Sequence, residues 1–181
     1  IELKTYKTDL LGRYQKKNIK TAVATLQQLK SKNWSITESS IINGLQNVIS
    51  ATGLLGRWQI LNTSPKVICD IAHNKEGLTY VMQQLSKETF NNLHIVIGMV
   101  NDKNVGSIID FFPKKATYYF CRPDIPRGLD TTILKQYFID KGYKGNAYKS
   151  VNEALETAKK QAKTNDLIYI GGSTFVVAEI I

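Results

Sequence analysis

The stretch that decides the fold is Val67-Ile68-Cys69-Asp70-Ile71-Ala72-His73-Asn74. Its first half is an unbroken apolar run, which suits a parallel strand covered on both faces. Its second half puts an acid, an imidazole and an amide where that strand hands over to a helix. Open α/β sheets seat ligands at the carboxyl ends of their strands, so Asp70, His73 and Asn74 are site candidates by position alone. Upstream lies Gly53-Leu54-Leu55-Gly56-Arg57-Trp58, a guanidinium held between glycines at a turn.

Working outward from that strand, the chain alternates. Strands are expected at Trp58–Leu61, Lys66–Ile71, His94–Met99, Thr117–Cys121 and Leu167–Ile170, with a short one around Asn146–Lys149. Helices are expected at Lys75–Lys87, Lys103–Phe112, Thr131–Lys141 and Val151–Lys163, and a last one from Ser173. The apolar stripes Leu78, Val81, Met82, Leu85 and Val105, Ile108, Ile109, Phe112 have helical spacing. Ser150 with Glu153 has capping-box spacing. Repeated strand–helix units predict an α/β fold, a Rossmann-like, mostly parallel sheet with helices on both faces.

Toward the N-terminus the pattern changes to paired helices. Gln15–Lys30 carries Ile19, Ala22, Val23, Leu26 and Leu29 on one face, and Thr37–Ile49 comes next with Ser35 and Glu38 as its capping pair. Two glycines in Thr52–Gly56 break the helical pattern. The domain boundary is therefore expected near Gly53, dividing residues 1–52 from 53–181.

The bulk composition narrows the function. With 181 residues, 43% hydrophobic and 22% charged, the chain is long enough for one good core. No secretory leader pattern and no bilayer-length apolar run occurs, so a soluble, cytoplasmic protein is expected, without a membrane partner. The start, Ile1-Glu2-Leu3-Lys4, reads as a piece cut from a longer chain. Cys69 and Cys121 sit in apolar strands as small hydrophobes. His73 and His94, with no metal-ligand spacing, argue against a zinc site, and no metal site is expected. The net charge of +9 favours anionic partners. The lysines are nevertheless dispersed and no aromatics interleave with them, so nucleic acid is not the expected partner.

In a parallel sheet the residues after each strand line one edge. These are Asp70, His73 and Asn74; then Gly98, Asn101, Asp102 and Lys103; then Arg122, Asp124 and Arg127; then Gly171, Gly172, Ser173 and Thr174. A Gly-Gly-Ser helix start can seat an anion through backbone N–H groups and a hydroxyl. Ser173 and Asp102 serve equally well as helix caps. No G-x-G-x-x-G follows the first strand, and no G-x-x-x-x-G-K-[ST] loop occurs. The residues alone predict a basic α/β domain with an anion-binding crevice.

The motif set resembles folylpolyglutamate synthase/dihydrofolate synthase, a member of the Mur ligase superfamily. Leu10-Leu11-Gly12-Arg13-Tyr14-Gln15-Lys16-Lys17-Asn18 resembles the family's Gly-x-His-Gln-x-x-Asn segment, and Gly56-Arg57 its Pro-Gly-Arg. Asp70-Ile71-Ala72-His73-Asn74 is similar to Asp-Gly-Ala-His-Asn, Gly98 with Asp102-Lys103 to Gly-x-x-x-Asp-Lys-Asp, and Gly172-Ser173 to the closing Gly-Ser. Departures are Tyr14 for His, Leu55 for Pro, Ile71 for Gly and Lys75 for Pro.

The resemblance implies that residues 1–52 end a central ATPase domain and that 53–181 form the C-terminal ligase domain. It implies an ATP-dependent ligase, using Mg²⁺, that joins L-glutamate to folate or dihydropteroate through an acyl phosphate. ATP and Mg²⁺ would be bound mainly by a preceding part that carries the phosphate loop, so the 181 residues alone should be inactive, and a monomer is expected. Asn18 would approach the adenine, Arg57 the phosphates and Asp70 the ribose hydroxyls. His73, Lys103 and Ser173 would lie near the reaction centre and the incoming glutamate. Asp70→Ala and Arg57→Ala should then remove activity and spare the fold, since both residues are expected in loops. The alternatives are a Mur-type ligase of a cell-wall precursor and, from another class, a basic nucleic-acid-binding domain.

Overall fold

Val67–Cys69 does form a strand, and both of its faces are covered. The computed structural model describes residues 5–101 and 105–181. Its six strands are β1 (Gln59–Thr63), β2 (Lys66–Cys69), β3 (Leu93–Ile97), β4 (Thr117–Phe120), β5 (Lys144–Ala147) and β6 (Leu167–Gly171), in the order β1-β2-β6-β3-β4-β5. Every neighbour pair is parallel except β1 with β2. The α/β class and the mostly parallel sheet hold as expected. The antiparallel edge arises from the connection: Ser64 and Pro65 alone separate β1 from β2, and only a hairpin fits so short a link.

The period of two along each strand sorts the core into two layers. Ile68, Ile95, Ile97, Tyr118, Phe120 and Tyr169 face α4 (Lys75–Leu85) and α5 (Thr131–Ile139), where Leu78, Val81, Leu134 and Phe138 are fully buried. Val67, Cys69, Val96, Tyr119, Ile168 and Ile170 face α6 (Val151–Gln161) and α7 (Thr174–Ala178). Because β6 is inserted between β2 and β3, the carboxyl ends of β2 and β6 meet at mid-sheet, where Asp70 N donates to Ile170 O at 3.1 Å.

Several expected elements take another form. Within the expected helix Lys103–Phe112, Lys103 lies outside the described residues, as does Asp102. Asn104 is likewise outside them, and the described part contains two single 3₁₀ turns, Val105–Ser107 and Ile109–Phe111. The i, i+3 spacing of Val105 and Ile108 suits a 3₁₀ turn as well as an α-helix, and Gly106-Ser107 weakens the α form. The short strand falls at Lys144–Ala147, two residues before its expected start, because Gly145 alone fits against the Tyr118 carbonyl: a Cβ there would lie 2.2 Å from it.

The N-terminal helices are α1 (Gln15–Ser31), α2 (Glu38–Gln46) and α3 (Val48–Thr52). Thr37, not Ser35, caps α2, in a reciprocal box with Ser40. The helix expected to run through Ile49 breaks at Asn47 because Asp9 caps a new start: its carboxylate accepts from Val48 N at 3.2 Å and Ile49 N at 2.8 Å. Among the described residues no helix is long and apolar enough to cross a membrane.

Candidate functional site

Arg57 is held in an unusual backbone kink. Gly56 has φ 71° and Trp58 φ 52°, so left-handed residues flank it on both sides. A bulky residue avoids that region unless its surroundings compensate. Here Trp58 is 2% exposed in the core and its N–H donates to Asp70 Oδ2 at 2.7 Å. Ile71 N donates to Gly56 O at 3.0 Å, tying the kink to the end of β2. The kink leaves the Arg57 guanidinium half-buried in a cleft. It makes no hydrogen bond or ion pair with any described residue, so its fork of donors is available.

Asp70 is the anchor of this arrangement. It is 1% exposed, and besides Trp58 N its Oδ2 accepts from the Tyr14 hydroxyl at 2.8 Å, while Oδ1 accepts from Ala72 N at 2.8 Å. Burial pushes the carboxyl above its usual range, against the pull of those three donors and of the nearby Arg57 charge. The same burial, together with the Asp70 charge, pushes the Tyr14 phenol well up, so Tyr14 stays a proton donor. Asp70 was expected in a loop, where its loss would spare the fold. It is instead a buried acceptor with three of its lone-pair sites engaged.

His73 and Asn74 come next, on the turn into α4. His73 Nδ1 lies 3.0 Å from Ile71 O. A carbonyl can only accept, so Nδ1 is the donor in this contact, which leaves Nε2 as the ring nitrogen without a protein partner among the described residues. Asn74 accepts from Gly77 N at 2.8 Å, which makes it the N-cap of α4.

The opposite wall comes from α1. Asn18 Nδ2 donates to Gln15 Oε1 at 2.8 Å, leaving its carbonyl and second N–H free for a ligand. Lys17 donates to the Tyr80 hydroxyl and sits 4.8 Å from that ring's centroid. Between the walls is a cleft of about 330 Å³, lined by Tyr14, Asn18, Arg57, Asp70, His73 and Tyr80 among others. Four of the six predicted site residues, drawn from three separate stretches, thus meet in one cavity of small-molecule size.

Of the other two, only Ser173 is described, and it does not join them. Lys103 lies outside the described residues. Ser173 is 4% exposed, is not among the residues lining the cleft, and accepts from Phe175 N at 3.2 Å as the cap of α7. The two glycines before it are packing residues: a Cβ on Gly171 would lie 2.5 Å from the Tyr169 hydroxyl, and one on Gly172 2.8 Å from Gly98 O. Arg127, expected on the same edge, lies 5.0 Å over the Phe175 ring. Among the described residues no three His, Cys, Asp or Glu side chains cluster as metal ligands. Sequence reasoning missed Lys17 and Tyr80. Tyr80 stands at i+3 from Gly77 on α4, and that spacing from the Asn74 cap was the signal that could have found it.

Residues 56–174 match the family described as Mur ligase, glutamate ligase domain. The chain belongs to the Mur ligases. Its Mur ligase match begins at the Gly56 kink and closes one residue beyond the Ser173 cap. A probable bifunctional folylpolyglutamate synthase/dihydropteroate synthase of Haloferax volcanii is 33% identical over 173 residues, covering 94% of this chain and 20% of that protein. Escherichia coli FolC in complex with DHPP and ADP is similar in structure, with TM-score 0.80 and 26% identity over 98% of this chain and 40% of that one. A bifunctional folylpolyglutamate synthase/dihydrofolate synthase with Mn, AMPPNP and L-glutamate bound gives TM-score 0.71 and 25% identity over 84% of this chain and 36% of that one. This Mur ligase chain therefore spans between 20% and 40% of the length of these proteins.

Proposed function

We propose that this chain is part of an ATP-dependent acid–amino-acid ligase that joins L-glutamate to a folate or to dihydropteroate. The observation that carries the reading is the convergence of Asn18, Arg57, Asp70 and His73 on one cleft. The Haloferax relative and the ADP- and glutamate-bound structures support it. Residues 1–52 would close a central ATPase domain and 53–181 form the ligase domain. The seat for the triphosphate, and Mg²⁺ with it, would belong to the parent's remaining portion, since these residues hold neither a phosphate loop nor, among those described, a carboxylate cluster.

In this reaction the substrate carboxylate takes the γ-phosphoryl group of ATP, giving an acyl phosphate and ADP. The glutamate amine attacks the acyl carbon, the C–N bond forms, and phosphate leaves with the C–O bond's electron pair. The chain's share is positioning and charge neutralisation. Asn18 offers an acceptor and a donor to the adenine edge. Arg57 forks onto phosphate oxygens. His73 presents Nε2 to the cleft. We assign Asp70 first to holding Trp58, Tyr14 and the turn of His73, because three donors already occupy its buried carboxylate at the cleft wall. Lys103 and Ser173 keep only their resemblance to residues near the incoming glutamate.

The full-length protein, given ATP, Mg²⁺, glutamate and dihydropteroate or tetrahydrofolate, should release phosphate only when all are present. Release that ignores the folate substrate, or that appears instead with a muramoyl-peptide acceptor, would overturn the assignment.

A further inference from the structure

The two walls of the cleft belong to different parts of the chain, and they are joined by polar contacts with little apolar packing. Asn18 stands on α1, where Gln15 and Val23 are the only buried residues. Arg57 and His73 stand beside β2. Tyr14 bridges them, its hydroxyl donating to Asp70 Oδ2 at 2.8 Å, while Asp70 also holds Trp58 N and Ala72 N. The Gln15 side chain, 4% exposed, accepts from Asn18 Nδ2 at 2.8 Å. Tyr14 thus ties the start of α1 to Asp70 beside Arg57, and its neighbour Gln15 holds Asn18 on the same helix.

A second clasp lies one turn away. Gln84 of α4, 6% exposed, accepts from Arg13 N at 2.6 Å and donates to Leu11 O at 3.1 Å, so both polar atoms of its amide grip the segment leading into α1. Buried networks of this kind specify one geometry when every member is satisfied and lose it when one is removed.

We propose that Tyr14 is a positioning residue: its hydroxyl, with the Gln84 clasp, sets the spacing between Asn18 and Arg57 on which nucleotide affinity depends. The proposal rests on the ATP-dependent ligase reading above. A phenol suits the task because it is long enough to reach Asp70 from α1 and remains a donor at all physiological pH values.

The test is steady-state kinetics of the full-length protein. Tyr14→Phe keeps the ring and removes the bond, and should raise KM for ATP about tenfold, the scale of one charge-assisted bond. KM for glutamate should stay at its wild-type value, and kcat should change by less than about twofold. Gln84→Leu should shift KM for ATP in the same direction. An unchanged KM for ATP in both Tyr14→Phe and Gln84→Leu would overturn the proposal, as would a fall in kcat with KM unmoved. If Tyr14→Phe does not fold, Gln84→Leu decides by the same readouts. Failure of the ligase reading itself looks different, because the wild type would then show no folate-dependent phosphate release.

Discussion

Replacing Asp70 by Ala tests whether this carboxylate is a ligand contact or a structural anchor. The change strands three donors: Trp58 N, Ala72 N and the Tyr14 hydroxyl. A buried donor left without a partner costs about 1–3 kcal/mol. Trp58 N bears the full cost because Trp58 is 2% exposed, whereas water can reach Ala72 N and Tyr14, which are half-buried. Removing a carboxylate whose burial raises its own pKa returns part of the loss. The net destabilisation is about 3 kcal/mol, which for a chain of this size lowers the melting temperature by about 6–12 °C. Trp58 must then hold its positive φ unaided, so the kink that presents Arg57 should relax as well. Thermal melts of wild type and Asp70→Ala followed by circular dichroism measure the shift, and tryptophan fluorescence reports on Trp58. A shift below about 1 °C with unchanged fluorescence would refute the anchor and restore Asp70 as a free ligand contact.

Arg57→Ala should behave in the opposite way. With no protein partner to strand, it should change stability by less than about 1 kcal/mol while weakening nucleotide binding by about tenfold or more; a large melting shift with unaltered binding would contradict this. Gly56→Ala should cost about 1–3 kcal/mol, since its Cβ would meet Ile71 Cγ2 at 2.7 Å at φ 71°, and a melt within about 1 °C of wild type would show that the turn does not need glycine. Burial alone would raise the Asp166 carboxyl, but Lys163 N, the Asn92 amide and backbone N–H, and His94 together hold it below its usual range. Its stabilisation is therefore present above the unfolded pKa of about 3.9 and lost as pH falls through the folded value. The stability gap between wild type and Asp166→Asn should close in acid, and a gap unchanged down to about pH 2 would refute it.

The alternation of strands and helices was legible because it is written locally. Period-two and period-3.6 patterns depend only on residues a few positions apart, so β2, β3, β4 and β6 and the helices packed on them could be placed from composition and spacing. The cluster at the end of β2 was legible for the same reason, as polar residues directly after a buried run. The resemblance of ordered motifs then linked Asn18, Arg57, Asp70 and His73 before any geometry was known.

What the sequence determined by itself is therefore the class of fold and four of the residues that line the candidate cleft. Tertiary structure decided how each member is used. Asp70 became an anchor because its partners, Trp58 N and the Tyr14 hydroxyl, come from 12 and 56 positions away. Asp9 splits a helix 39 positions on, and Gln84 clasps a segment more than 70 positions before it. Ser173 spends its hydroxyl on a cap, and Lys17 meets Tyr80 across the cleft. Hydrogen-bond partners so far apart in the chain leave no periodic trace, because their meeting is set by the packing of whole elements and not by the spacing of neighbours.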